Sequence, residues 1–321
     1  MLWWWFAAVA LGVDVRGMTV SCPTWGGEWG SDAMVATLDE LRGDGMNWVA
    51  IHPYARIRGT GEVTFRPLDP ANPPRWLDRP IKEAHARGMK IFIKPHLAYW
   101  GSPFSWRGEI EFPDPEARKR FFDSYQAWMT SIAAVVKDAD AFAVGTELGR
   151  LSGHDKEWRE VIQAVRGVFP GSLTYAANWD EVDRVPFWDA LDTVGVQAYF
   201  PVVTGYAGVT PSKTELDAGW DRILGRMRAL SARTGKPIVF TELGYDAHLE
   251  APMKPWASGR RSEQGEAVQR ASLRAAMRAL DREPQVVGAF LWKWFPGEAQ
   301  YGDFRMSTPA NRAVIRSVWK P

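Results

Sequence analysis

The sequence lacks the features that would place it in several large classes of protein. Cys22 is its one cysteine, which excludes an internal disulfide framework and any zinc site built from several cysteines. Its 39 basic and 38 acidic side chains leave a net charge of +1, without the basic excess of a nucleic-acid binder. The five histidines are scattered and show no i,i+4 metal spacing. We therefore expect neither a nucleic-acid partner nor a metal.

A hydrophobic run long enough to span a membrane is also missing. The apolar stretch 1–13, MLWWWFAAVALGV, is shorter than the about 20 residues that a bilayer requires. It resembles the middle of a secretory signal but has no basic start and no clear small-x-small cleavage site. Residues 1–16 are therefore interpreted as a leader that either packs under the domain or directs export. Secreted, membrane-anchored and cytoplasmic locations all stay open.

Tryptophan, in contrast, is abundant, with 18 residues in a chain of 321. A hydrophobic core needs few indoles, so some of them are expected to line a surface that binds something flat and partly apolar. Hydrophobic residues make up 46% and charged residues 24% of the chain, which is the composition of a folded globular protein.

From Gly17 onward the sequence repeats one unit: a short β-rich apolar run, a polar or aromatic loop, and a helical pattern. This alternation predicts a parallel sheet with right-handed crossovers. Eight such units predict a single (β/α)8 TIM barrel over residues 17–321. The fifth crossover, 179–191, is poor in helix.

The predicted strands are Met18–Cys22, Asn47–His52, Lys90–Pro95, Ala141–Thr146, Leu173–Ala177, Thr193–Tyr199, Pro237–Thr241 and Val286–Trp292. The predicted helices include Asp32–Asp44, Arg79–Arg87, Pro115–Lys137, Lys156–Val168, Glu215–Thr234 and Glu263–Asp281. Gly88 and Gly235 follow two of these helices, which suits a left-handed helix cap.

Two glutamates follow apolar strands, where the active site of such a barrel forms. Glu147 follows the fourth strand and Glu242 the seventh, each within the phrase Thr-Glu-Leu-Gly. Strands four and seven lie across the barrel mouth, so the two carboxyl groups are expected to face each other. Glycoside hydrolysis needs such a pair, one to protonate the leaving oxygen and one to attack the anomeric carbon or activate water. The other interpretation is that either glutamate caps a helix or pairs with a nearby arginine such as Arg150.

Aromatic and neutral polar residues cluster at the other strand ends and in the loops that follow. Aromatic faces stack on sugar rings, while amides, hydroxyls and imidazoles distinguish the ring hydroxyl groups. The pattern therefore predicts a sugar-binding cleft. The candidate substrate-binding residues are Trp25, His96, Trp100, Asn178, Trp179, Gln197, Tyr199 and Trp292.

Two other functions stay open. Lys94 near the end of the third strand would form a Schiff base in a lyase if burial lowered its pKa, although an ion pair with a site carboxylate is the alternative role. A barrel that binds carbohydrate without cleaving it is also possible, because the sequence does not give the separation of the two glutamates.

Four phrases, in this order, resemble clan A of the glycoside hydrolases and, within it, family 113, the β-mannanase family. They are VGTEL at 144–148, GVQAYFP at 195–201, PIVFTELGY at 237–245 and GAFLWKW at 288–294. The resemblance covers nearly all of the chain after Gly17. It implies a retaining, endo-acting hydrolase of β-1,4-mannan or a related β-linked oligosaccharide or polysaccharide. We expect a monomer without a cofactor.

The resemblance also assigns roles to residues. It implies that Glu147 is the general acid/base and Glu242 the nucleophile. Tyr199 would donate a hydrogen bond to Glu242, and Trp292 would lie beneath the sugar at the cleaved bond. His96 and Asn178 would contact sugar hydroxyl groups.

One residue departs from the clan pattern. Many members carry Asn before the acid/base, where it contacts the sugar 2-hydroxyl, and this chain has Thr146. Asn178 or Gln197 would then take over that contact. The mechanism also requires split pKa values, with Glu147 protonated near neutral pH and Glu242 ionised.

Overall fold

The computed structural model of the protein describes residues 14–205, 209–297 and 302–320. Eight parallel strands close into a barrel in chain order, with β8 hydrogen-bonded to β1. The TIM barrel predicted from the sequence is therefore confirmed. The strands are β1 (Val15–Val20), β2 (Trp48–Ile51), β3 (Lys90–Ile93), β4 (Ala141–Thr146), β5 (Ser172–Asn178), β6 (Val194–Gln197), β7 (Ile238–Leu243) and β8 (Val286–Trp294).

Seven α-helices pack around the barrel in the described ranges. They are α1 (Asp32–Gly43), α2 (Arg75–Ala86), α3 (Pro115–Val135), α4 (Asp155–Arg166), α5 (Lys213–Thr234), α6 (Glu263–Leu280) and α7 (Pro309–Trp319). The fifth crossover holds two short 3-10 helices, Val182–Arg184 and Trp188–Ala190. Its low helix content was therefore correctly anticipated. No helix within the described ranges is long and apolar enough to cross a bilayer.

Local sequence signals set several of these boundaries. Ser212 and Glu215 form a reciprocal capping box at the start of α5, which satisfies two backbone donors at the helix end. Gly235 ends α5 with φ 67°, and Gly88 follows α2 with φ 65°. Both glycines adopt the left-handed conformation predicted for helix caps.

The strand bounds differ from the predicted ones by a few residues. β1 begins at Val15 and ends at Val20, so Cys22 lies in the loop beyond it. Most of the predicted leader, residues 1–13, lies outside the described residues.

A small second sheet lies beside the barrel mouth, where the sequence predicted loops. Its strands are Tyr54–Ile57, Val63–Thr64 and His96–Ala98, and Tyr54 pairs with His96. The sheet thus connects the loop after β2 to the loop after β3 and fixes both beside the strand ends.

Close packing behind β4 requires a residue without a side chain two positions before Glu147. A Cβ placed on Gly145 would lie 2.6 Å from the Tyr175 ring and 2.8 Å from the Trp158 ring. Both rings are fully buried, so neither has free space into which to move. The strand that presents Glu147 therefore depends on this glycine.

We expect Gly145→Ala to lower the free energy of unfolding by about 1–3 kcal/mol, since overpacking forces buried side chains out of their preferred rotamers. Urea denaturation measures this change. Gly153→Ala is the matched control, because Gly153 is exposed and a Cβ there meets nothing within 4 Å. Equal stability of the two variants would contradict the packing argument.

Candidate active site

The two glutamates predicted to be catalytic lie in one cleft at the carboxyl ends of the strands. Glu147 directly follows β4, and Glu242 is the penultimate residue of β7. The cleft has a volume of about 560 Å³. Its lining residues are Trp106, Glu147, Asn178, Trp179, Asp180, Tyr199, Glu242, Trp256, Ser258, Trp292, Lys293, Asp303 and Phe304.

Glu242 is almost completely buried, and each of its carboxylate oxygens has a donor. Lys94 Nζ donates to Oε1, and the Tyr199 hydroxyl donates to Oε2 at 2.6 Å. Burial alone would raise the pKa of Glu242, but the Lys94 ammonium and the Tyr199 hydroxyl outweigh it and hold the pKa below its usual value. Glu242 is therefore kept ionised.

Lys94 is fully buried and belongs to the support of Glu242. Besides that carboxylate, its ammonium donates to the Thr241 carbonyl at 3.2 Å and to Gln197 Oε1 at 3.4 Å. An amine held by three acceptors beneath the cleft is poorly placed to attack a carbonyl substrate. The ion-pair role of Lys94 thus fits the structure better than the Schiff-base role.

Two neutral histidines lie next to this ion pair. The His52 and His96 rings stack 4.9 Å apart, and His96 Nε2 is 3.8 Å from Glu242 Oε1. Burial, together with the nearby cations, holds the pKa of both imidazoles well below the usual value. The Trp292 ring lies 5.5 Å from His52 and 6.3 Å from His96, so imidazoles and indole form one aromatic floor.

Glu147 has a left-handed backbone, with φ 55°. Its own N–H donates to the Ala176 carbonyl at 2.9 Å, and the next N–H, of Leu148, donates to the Tyr175 hydroxyl at 3.0 Å. Both acceptors belong to β5. Residues other than glycine rarely hold this conformation, and where they do they often serve a functional site.

Arg107 is a site residue that the sequence analysis missed. It lies on a 3-10 helix, Arg107–Glu109, in the loop after β3, and it donates from Nη2 at 2.7 Å and Nε at 3.2 Å to Glu147 Oε2. The sequence had suggested Arg150 as a partner, but Arg150 pairs with Glu111 at 3.2 Å. A single arginine in an irregular loop gives no pattern that would have identified it.

The loops after β5 and β7 form one wall of the cleft. The rings of Trp179 and Trp256 stack 5.7 Å apart with an interplanar angle of 16°. Asn178 Nδ2 donates to Asp180 Oδ1 at 2.9 Å. Asn178 and Trp179 were predicted from the sequence and do line the cleft, whereas Trp256 was missed because it stands far beyond the end of its strand.

The loop after β8 contributes a second polar wall. Lys293 Nζ pairs with Asp303 Oδ1 at 2.5 Å, and Ser258 Oγ donates to Asp303 Oδ2 at 2.6 Å. The Lys293 ammonium also lies 5.1 Å from the centre of the Trp292 ring. Trp292 was predicted, and its polar neighbours were not.

Several predicted residues lie elsewhere. Gln197 is fully buried beneath Glu242, where its Oε1 accepts from Thr241 Oγ1 at 2.8 Å. Trp25 borders a second cavity, and Trp100 is exposed with its ring 5.4 Å from Tyr54. The Thr146 hydroxyl donates to the Pro95 carbonyl at 3.1 Å. Thr146 therefore serves the fold in this structure.

We expect Tyr199→Phe to raise the pKa of Glu242, because the carboxylate loses the hydroxyl donor to Oε2. The acid limb of the pH–activity profile should move to higher pH, and activity should fall about 10- to 100-fold, as expected for a hydrogen bond to a charged group. Steady-state rates between pH 3 and 8 measure both effects.

Tyr245→Phe is the matched control for this substitution. Tyr245 is a buried tyrosine two residues beyond β7 that does not line the cleft. An unchanged acid limb in Tyr199→Phe, or an equal shift in Tyr245→Phe, would contradict the role given to Tyr199.

The comparisons with known proteins point to one family. The model of Glycoside Hydrolase Family 113 matches residues 18–305. Among curated proteins, none matches the chain.

Solved structures share the fold over nearly the whole chain. The family 113 β-mannanase AaManA from Alicyclobacillus acidocaldarius, in complex with ManMIm, is 25% identical with a TM-score of 0.80, over 95% of this chain and 97% of that one. A complex of a family 113 β-1,4-mannanase is 21% identical with a TM-score of 0.80, over 95% and 98%. A family 5 mannosidase from Rhizomucor miehei shares 12% identity and a TM-score of 0.59, over 95% and 94%.

Proposed function

The chain belongs to glycoside hydrolase family 113 and is a glycoside hydrolase, and from this premise we propose that it is a retaining, endo-acting β-1,4-mannanase. The observation that carries the proposal is the environment of Glu242. A buried carboxylate kept ionised by Lys94 and Tyr199, in the same cleft as a second glutamate, suits a nucleophile opposite a general acid/base.

Glu242 would attack the anomeric carbon of the sugar bound over Trp292 and form a covalent glycosyl-enzyme. Tyr199 and Lys94 hold both oxygens of Glu242, so the carboxylate has little rotational freedom and approaches in a defined orientation. Water would then release the sugar with the original anomeric configuration.

Glu147 would first donate a proton to the leaving oxygen and later accept one from water. Its Oε2 is held by Arg107, while its Oε1 accepts no hydrogen bond from the described residues. We assign Oε1 to the substrate. Arg107 then acts as a positioning residue that fixes the carboxyl plane from the opposite side.

The walls of the cleft suit a chain of neutral sugars. Trp292 would support the sugar at the cleaved bond, and the stacked pair of Trp179 and Trp256 offers an apolar face on the loops after β5 and β7. Asn178 would contact hydroxyl groups, whereas His96, predicted from the sequence to do the same, is fully buried beside Glu242 and does not line the cleft. Trp256 is 51% exposed, so this face reaches the open rim, which is the basis for proposing endo action on a polymer.

We expect the enzyme to release reducing sugar from β-1,4-mannan and not from glucan, xylan or chitin oligosaccharides. Glu242→Gln should reduce the rate by at least about 10³-fold, since a covalent nucleophile is lost. Proton NMR of the first product should show the β-anomer. The matched control is Glu283→Gln, because Glu283 is a buried glutamate paired with Arg228 just before β8 begins, at the other end of the barrel.

Each other outcome selects a different function. Cleavage of another glycan would replace mannan as the substrate, and the α-anomer would mean inversion. Binding of mannan without cleavage by the wild type would favour the carbohydrate-binding barrel. Cleavage that survives Glu242→Gln would mean that the nucleophile is a different residue.

We expect Arg107→Gln to lower kcat/KM on mannan by at least about tenfold, because proton transfer from a well-positioned acid is worth about 10²–10⁴-fold in rate. Aryl mannosides with a good leaving group need little protonation by the acid. The rate at which they form the glycosyl-enzyme should therefore fall less. Arg150→Gln is the control, since its ion pair with Glu111 is exposed. Equal losses on both substrates would contradict the positioning role.

A further inference from the structure

A second cavity lies beside the catalytic cleft and is not explained by the reaction. Its volume is about 630 Å³, against about 560 Å³ for the cleft. It is bordered by the loop after β1, the small sheet, the start of α2 and the middle of α3. Its lining residues are Trp25, Tyr54, Ala55, Arg56, Thr64, Phe65, Arg66, Leu68, Pro74, Trp76, Trp128 and Ile132.

The second cavity differs from the cleft in having cations without a carboxylate partner among the described residues. Arg56 and Arg66 line it, and no aspartate or glutamate does. Neither guanidinium forms an ion pair with any acidic group in the described part of the chain, as the contacts of Arg56 consist of backbone pairing and the Trp25 ring. In the cleft, by contrast, each cation is paired with a carboxylate: Arg107 with Glu147, Lys94 with Glu242 and Lys293 with Asp303.

The walls of the second cavity are held in place by the fold. Arg56 lies in the middle strand of the small sheet, paired with Thr64 on one side and with Ala98 on the other. Its guanidinium carbon is 4.5 Å from the centre of the Trp25 ring, which is itself edge-on to Tyr54 at 5.9 Å. Trp25 is 44% exposed. A guanidinium on a strand that is hydrogen-bonded on both sides thus lies over one face of a partly exposed indole.

Tyr54 links the second cavity to the nucleophile. It lines the cavity, and its ring lies 5.9 Å from the ring of His96. His96 Nε2 is in turn 3.8 Å from Glu242 Oε1. Two side chains therefore separate the cavity from the reacting carboxylate, and this short separation places both within the length of one oligosaccharide.

We propose that the second cavity binds a carboxylate-bearing sugar unit in the same glycan whose neutral part is cleaved at Glu242. The guanidinium groups of Arg56 and Arg66 bind the carboxylate, a partner that arginine engages through two parallel hydrogen bonds, and Trp25 stacks on the sugar ring. The cations at the cleft, Lys94, Arg107 and Lys293, are each paired with a carboxylate, so the described part of the cleft offers such a unit no free cation at the cleaved bond itself. The inference rests on the proposed function, since it takes the substrate to be a chain longer than the cleft.

The test compares two polymers, β-1,4-mannan and the same mannan with some C6 hydroxyl groups oxidised to carboxylates. In the double variant Arg56→Gln/Arg66→Gln, kcat/KM should fall at least about tenfold on the oxidised mannan and less than about twofold on the untreated one. Mannotriose, which carries no carboxylate, should be cleaved at the wild-type rate. High salt should remove most of the difference on the oxidised polymer, as screening weakens partly exposed ion pairs.

Arg58→Gln is the matched control, since Arg58 is an exposed arginine two residues from Arg56 that does not line the cavity. If Arg58→Gln lost as much kcat/KM on the oxidised mannan as the double variant, the effect would come from overall charge, and the proposal would be overturned. Equal losses of the double variant on both polymers, or no loss on either, would also overturn it.

A binding measurement separates this inference from the proposed function. Affinity electrophoresis on oxidised mannan requires no turnover. It compares Glu242→Gln with the same variant carrying the two arginine substitutions as well. If the wild type cleaves neither polymer, the proposed function fails. Retardation that depends on Arg56 and Arg66 would still support carboxylate binding in the second cavity. Retardation that the substitutions leave unchanged would overturn the proposal for the second cavity, even if the enzyme is an active mannanase.

Discussion

A buried negative charge at the mouth of the barrel is the constraint on which the site depends. Removing a carboxylate from water is unfavourable unless donors replace the lost hydration. Here the donors come from two different strands, with Lys94 just beyond β3, across the barrel from β7, and Tyr199 just beyond β6, next to β7, both directed at Glu242. Loss of one partner of a buried pair typically costs about 3–5 kcal/mol, so catalysis and stability share this contact. The closed barrel therefore brings both partners to Glu242.

The sequence predicted the site residues at the strand ends better than those in the loops around the cleft. The eight strands appear as apolar runs, and a residue at a strand end must lie at the barrel mouth, so Glu147, Glu242, Tyr199 and Trp292 were placed correctly. Contacts between distant loops leave no such periodic signal. Arg107 stands 40 positions from Glu147, and Lys94 stands 148 positions from Glu242. Only the second of these could be anticipated, because Lys94 itself stands near a strand end.

Two errors in the helices have local causes. Pro80 favours a helix start near Arg79, because proline suits the first helical turn, yet α2 begins at Arg75. The preceding Pro74 occupies the N-cap position, so the chain holds two start signals within one short stretch. The final helix, α7, was not predicted, although Thr308 caps it and Pro309 opens it. That signal is as clear as the one at α5, but it lies after the eighth strand, where the repeat had already been counted as complete.

The position of Thr146 bears on how the proposed mannanase would recognise its sugar. Its hydroxyl donates to the Pro95 carbonyl and so joins the end of β4 to the chain just beyond β3. Mannose and glucose differ at carbon 2. A hydroxyl that already donates its hydrogen within the protein is poorly suited to distinguish the two sugars at that carbon. The Oε1 atom of Gln197 is also used within the protein, since it accepts hydrogen bonds from Thr241 and Lys94. Of the groups considered from the sequence, Asn178 alone stands on the cleft wall, and its amide is oriented by Asp180. Under the proposed function, a chain with Thr146 in this position would therefore select its sugar through Asn178, the last residue of β5, rather than through the end of β4.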